Sequence, residues 1–168
     1  MVTFTYLCVI KKTNMGTRSS YRIIEKYDST INDICLIYVH YDGYPKGHPL
    51  RICKWLSGSK ISVGYNKVIA GSSIANEELV FNGAGCLAAS LVAKLKKDST
   101  FGNVYMTPFD SRGKKGEEYM YDIIVINHKD IEIICYNDTD NILFKGTPSQ
   151  FVEQFVEDIP PTKSKFNF

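Results

Sequence analysis

Residues 38–48, Tyr38-Val39-His40-Tyr41-Asp42-Gly43-Tyr44-Pro45-Lys46-Gly47-His48, hold the densest chemistry in the chain. His40, Asp42 and His48 can work as a general base with its orienting acid, the equipment of a hydrolase or nuclease. The same three can ligate a divalent cation. They can also be scaffolding. Asp42-Gly43 followed by Tyr44-Pro45 is turn chemistry: Asp bonds its own backbone, Gly takes a positive φ and Pro fixes its own. In an extended strand His40 and Asp42 share one face. No H-x-x-x-H or H-E-x-x-H spacing supports a metal site, so none is expected, nor any other cofactor. The favoured reading is a tight turn that presents His40, Asp42 and Tyr44 to a ligand.

A second candidate is Asn82-Gly83-Ala84-Gly85, at the start of a strongly periodic segment. A glycine-rich helix start exposes backbone N–H groups and the positive end of the helix dipole, which suits a phosphate or carboxylate. It lacks the Lys-Ser/Thr of a P-loop, and glycines there also serve close packing. Tyr119 and Tyr121 share one face of a strand, where tyrosine can stack on a base, anchor a protein contact or simply pack. Two loops carry basic sets, Lys11, Lys12 and Arg18 in one and Arg112, Lys114 and Lys115 in the other. Each can meet phosphates, with solvated loop charge as the plainer reading. Cys86 sits near a helix N-terminus, but beside Leu87 it is expected to face inward and stay inert. The expectation is that the turn at 40–48 and the helix mouth at 82–85 converge. His40, Asp42, Tyr44, Asn82, Gly83, Gly85 and Tyr119 then line one site.

The elements that must position these residues follow from periodicity. Residues 2–10, 21–27 and 34–40 read as strands rich in aromatic and β-branched types, the first two joined as a hairpin by a long basic loop. Leu50 to Leu56 reads as a short helix with Pro49 in its first turn. Residues 57–80 read as a long irregular loop. Ala84, Leu87, Ala88, Leu91, Val92 and Leu95 form a single apolar stripe behind an Asn82 cap, the expected central helix. Strands over 103–106, 119–127, 131–136 and 141–144 are expected to form an antiparallel meander. Thr147-Pro148-Ser149-Gln150 then opens a C-terminal helix as a capping box, and Pro160-Pro161 stops it. Strands are grouped with strands, so the fold class expected is α+β. Mostly antiparallel sheet packs against a central helix and a C-terminal helix in one domain over 1–161, with a tail over 162–168.

Bulk composition narrows the partners. A chain of 168 residues with net charge +2 can bury a real core and carries too little charge to imply nucleic-acid binding. Cysteines 8, 35, 53, 86 and 135 stand singly with no C-x-x-C pair, which predicts reduced core thiols and a reducing compartment. The apolar run Val2 to Ile10 has no preceding basic region or following cleavage site, and no segment approaches the ~18 apolar residues of a membrane span. A cytoplasmic location is expected, with oligomerisation left open.

A longer pattern runs through these elements. Asp42-Gly43-Tyr44-Pro45 with Gly47, a short helix, then Asn82-Gly83-x-Gly85-Cys86-Leu87-Ala88-Ala89, resembles a family of small proteins found mainly in bacteriophages and mobile elements. The resemblance continues through Gly102-x-Val104-Tyr105, Glu117-x-Tyr119-x-Tyr121 and Leu143-Phe144-x-Gly146-Thr147-Pro148. That family has no settled biochemical activity, so the resemblance implies a viral accessory protein in the host cytoplasm and carries over no catalytic residues. The expected function is a non-enzymatic binder that counters a host process by sequestering a phosphorylated small ligand such as a nucleotide. The alternatives are an inhibitor docking on a host protein, and a hydrolase or nuclease using His40, Asp42 and His48.

Overall fold

A computed structural model describes residues 16–63, 79–98 and 103–156. The expected strand at 2–10, the hairpin it would form, the basic residues Lys11 and Lys12, Cys8, Tyr65, Gly102, Pro160-Pro161 and the tail at 162–168 lie outside the described residues. Within them, strands β1 (Ser19–Tyr27) and β2 (Thr30–Val39) form an antiparallel hairpin around a tight turn in which Asp28 has φ +50. Helix α1 (His48–Leu56) follows, two residues longer than the apolar spacing predicts. Strands β3 (Lys60–Ser62) and β4 (Val80–Asn82) pair in parallel as a separate ribbon, β3 inside the stretch expected to be irregular and β4 starting at its last residue. Ile61 and Phe81 face each other across it and are both buried, so a single cross-strand pair anchors it to the core.

Helix α2 (Gly83–Asp98) buries Ala84, Leu87, Ala88, Leu91 and Leu95, the stripe predicted by periodicity. Strands β5 (Val104–Thr107), β6 (Tyr119–Ile126), β7 (Asp130–Asn137) and β8 (Ile142–Gly146) precede helix α3 (Pro148–Phe155). The predicted capping box is present: Gln150 N–H donates to Thr147 Oγ1 at 3.2 Å, and Thr147 N–H donates to Gln150 Oε1 at 2.8 Å.

The sheet order is β5-β2-β1-β6-β7-β8. The fold is α+β with a mixed sheet, mostly antiparallel, β1–β6 being its one parallel pairing among the described strands. The four-strand meander reduces to β6-β7-β8, because β5 pairs with β2 at the far edge. Residues 108–118 are long enough to cross two strands, so β5 need not neighbour β6. One face of the sheet carries Tyr21, Ile23, Ile37, Val39, Tyr121, Ile123, Ile133 and Cys135 and is covered by the three helices in one core. The crossover 108–118, with one 3-10 turn at Phe109–Ser111, lies on the other, helix-free face, which carries no α-helix among the described residues. There Arg112 Nη2 reaches Asp122 Oδ1 at 2.9 Å, and Lys115 Nζ sits 5.4 Å from the centre of the Tyr38 ring.

Candidate functional site

The turn between β2 and α1 is built by backbone contacts. Strand β2 ends at Val39, and His40 N–H donates to Asn103 O at 3.0 Å. Asp42, not Gly43, takes the left-handed conformation, with φ +53. Gly43 is required for a different reason, close approach: a Cβ there would lie 2.5 Å from Ser19 Cβ and 2.9 Å from Thr17 O. A Cβ at Gly47 would overlap the Asp42 carbonyl oxygen. The peptides close on each other through His48 N–H to Asp42 O and Gly47 N–H to Tyr44 O, both 2.8 Å. From inside the core, Tyr121 O–H donates to Gly43 O at 2.8 Å. Tyr121 is itself stacked on Tyr21, with centroids 5.1 Å apart. The turn is therefore pinned from β6, and Tyr41, Asp42 and Tyr44 project outward.

This geometry separates the three residues expected to do acid–base or metal work. Because the strand stops at Val39 and Asp42 turns left-handed, His40 and Asp42 do not follow strand alternation. His40 Nδ1 lies 3.0 Å from Tyr38 Oη, and its ring meets Tyr41 edge-on at 4.6 Å. His48 opens α1 and accepts from Arg51 Nη2 at 3.0 Å on its Nδ1. Among the described residues no three His, Cys, Asp or Glu side chains gather closely enough to hold a metal ion.

The helix mouth does not meet the turn. Helix α1 runs away from the turn, and Leu56, Ser57 and Ser59 lie beside Lys129, Asp130 and Ile131 at the opposite end of the sheet. Strands β3 and β4 follow there, so Asn82 and Gly83 start α2 at that far end. Gly85 lines an apolar groove of about 440 Å³ with Ile34, Cys35, Ala88, Ala89, Val92 and Met106. From Cys35 to His40 the strand covers about 16 Å. Nothing lies within 4 Å of a Cβ placed at Gly83 or Gly85, so neither serves close packing; Gly83 has φ +74 instead. Tyr119 does sit at the turn end, opposite Ser19, half-buried on the helix-covered face. Cys86, expected inside, is exposed, since one residue's rotation before Leu87 takes it off the buried stripe. Cys35, Cys53 and Cys135 are buried as expected.

What the turn end gathers is a different set, on the helix-free face. Tyr38 packs against Tyr105 of β5 at 6.2 Å, and Arg18 Nη1 donates to Lys115 O at 3.5 Å. Tyr41 and Tyr105 are 43% and 51% exposed, enough for their rings to be offered to a ligand. Burial pushes the Tyr38 hydroxyl above its ordinary value, and Arg18 offsets part of that rise. Arg18 and Lys115 belong to the two basic sets noted in sequence, but nothing local to either indicated that they meet. Asp122 is a second residue the chemistry-first reading passed over. A lone carboxylate inside the apolar run Tyr119 to Ile126 was the available signal.

Comparison with protein-family models, curated proteins and solved structures finds no match for the chain. No helix among the described residues is long and apolar enough to cross a membrane.

The core behind the turn has a pH signature. Burial drives the Tyr21 and Tyr121 hydroxyls and the Cys53 thiol far above their ordinary values, and raises Cys135 from 9.0 to about 11. These groups are neutral when protonated, so above pH 9 the unfolded chain releases protons that the native state retains. Their contribution to stability is complete below pH 9 and is lost as pH rises through about 11, where Cys135 titrates in the fold. Each group steepens the loss by about 1.4 kcal/mol per pH unit in its window. Urea midpoints at pH 7.5, 9 and 10.5 are expected to be level and then fall; a flat series to pH 10.5 would contradict this core.

Proposed function

We propose that this chain is a non-enzymatic accessory protein of a bacteriophage or mobile element. In this reading it counters a process in the host cytoplasm by sequestering a phosphorylated small ligand such as a nucleotide. The observation that carries it is the grouping of exposed Tyr41 and Tyr105 with Lys115 and Arg18 around Tyr38 and His40. Aromatic rings beside cations offer a flat surface and positive charge together, the two features a nucleotide needs from a non-catalytic host. Binding is favoured over hydrolysis because His40 and His48 are engaged apart from each other, by Tyr38 and Arg51.

Calorimetry with linear and cyclic nucleotides tests this reading. Saturable heat at one ligand per chain is expected, and no heat with any of them removes the small-ligand function. Native mass spectrometry of the purified protein should show the same ligand class retained.

A second reading, an inhibitor of a host protein, is favoured by one observation. The groove between α2 and the β2–β5 edge is predominantly apolar and borders Met106, which is 66% exposed. A host protein captured in stoichiometric amount, lost with Ala89→Glu and kept with Tyr105→Ala, would select this reading over the first.

A further inference from the structure

The binding reading says nothing of where a phosphate sits, and the glycine-rich start of α2 is at the wrong end of the sheet to share a ligand with the turn. Near the crossover the helix-free face gathers Arg18, Arg22, Arg112 and Lys115. Two are neutralised: Arg22 and Arg112 both bind Asp122, and Arg22 also lies 3.9 Å from Asp33. Arg18 and Lys115 are not ion-paired among the described residues. The buried carboxylate of the crossover, Glu117, is 4% exposed and is occupied by backbone amides, with Gly113 N–H at 3.2 Å and Lys115 N–H at 2.8 Å. That carboxylate folds the crossover back on itself, so that Lys115 Nζ lies over the Tyr38 ring. Gly116, at φ +70, completes the arrangement. A Cβ there would lie 3.2 Å from Arg18 Cζ, so the bare backbone leaves the guanidinium its place beside Lys115.

Resting on the binding reading above, we propose that Arg18 and Lys115 are the phosphate seat and that Tyr41 and Tyr105 supply the stacking surface. The ligand is thereby a nucleotide, with base and phosphate both recognised, held on the helix-free face at the end of β2. Two adjacent cations favour the doubly charged phosphate monoester, and a guanidinium adds paired N–H donors that an ammonium lacks. The exposed tyrosine rings accept any base by its flat face, so discrimination among bases is expected to be weak.

The test is calorimetry with the four ribonucleoside 5′-monophosphates, followed for the tightest binder by its nucleoside and by ribose 5-phosphate. The intact monophosphate is expected to bind at least tenfold more tightly than either fragment. The Arg18→Gln/Lys115→Gln double variant and, separately, Tyr105→Ala are each expected to weaken it about tenfold or more. All three side chains lie at the surface, and urea midpoints matching the parent protein show that the variants are folded. Undiminished binding by both variants overturns the seat while leaving the binding reading intact. Absence of heat from the parent protein with every monophosphate and cyclic nucleotide overturns both.

Discussion

Asp122→Ala is expected to lower unfolding free energy by about 3–5 kcal/mol, the range for removing one partner of a buried ion pair. Asp122 is almost fully enclosed and every lone-pair direction is in use. Arg22 Nε and Nη2 donate to it at 3.1 and 2.8 Å, Arg112 Nη2 at 2.9 Å and Tyr136 O–H at 3.2 Å. Without the carboxylate, two guanidiniums and a phenol are left facing a void beside buried Ile134, the cross-strand partner of Asp122. The arginine side chains are 30% and 19% exposed, so they recover some hydration, which places the loss toward the lower end. Asp122→Asn keeps the shape and one acceptor and should lose less. The crossover should also loosen, because Arg112 is its tie to β6, and Lys115 should lose its position over Tyr38. Urea denaturation reads the first effect and nucleotide affinity the second. A loss below about 1 kcal/mol for Asp122→Ala would mean the cluster is not holding the crossover to the sheet.

The second large effect is on the opposite face. Phe151 is fully buried in a ring cluster, 4.9 Å from Phe144, 4.5 Å from Phe155 and 6.4 Å from Tyr121. Helix α3 has eight residues, too few to persist without docking, so its capping box helps only once Phe151 is seated. Phe151→Ala is expected to remove about 3–5 kcal/mol, the span for emptying a buried aromatic site. For a chain of this size that is a fall in Tm of about 10 °C. Tyr121 loses a neighbour at the same time, and its hydroxyl is the core's hold on Gly43. Faster amide exchange at Gly43 and Gly47 should therefore accompany the drop in Tm. Val156→Ala, at an exposed position just past the helix, should shift Tm little; equal shifts for the two variants would sink this account.

The features legible in sequence are those encoded within a few residues of one another. The stripe from Ala84 to Leu95 repeats at helical period and is the buried face of α2, with Val92 half-buried. The capping box at Thr147–Gln150 forms atom for atom, since both partners lie within one helical turn. The turn after β2 is legible because Pro fixes its φ, Gly tolerates a positive one and Asp bonds its own backbone, although the left-handed residue is Asp42. Gly43 was spent on the approach of Ser19, a neighbour 24 positions away that no local rule could supply. Of the residues expected to line one site, His40, Asp42, Tyr44 and Tyr119 lie at the turn end of the sheet, whereas Asn82, Gly83 and Gly85 start α2 at the other end.

By itself, then, the sequence determined the three helices and most of the sheet strands, though not the β3–β4 ribbon, as well as the main apolar faces and the α+β class. Periodicity, capping and turn propensity act over a handful of residues, so they can be read without knowing what packs against what. Only the tertiary structure decided that β5 lies beside β2, that β1 and β6 run parallel, and that Arg18 meets Lys115 while Arg22 and Arg112 share Asp122. Those choices are made by which strand edges and buried charges satisfy one another across the whole fold. The energy that selects them belongs to pairs of residues far apart in the chain.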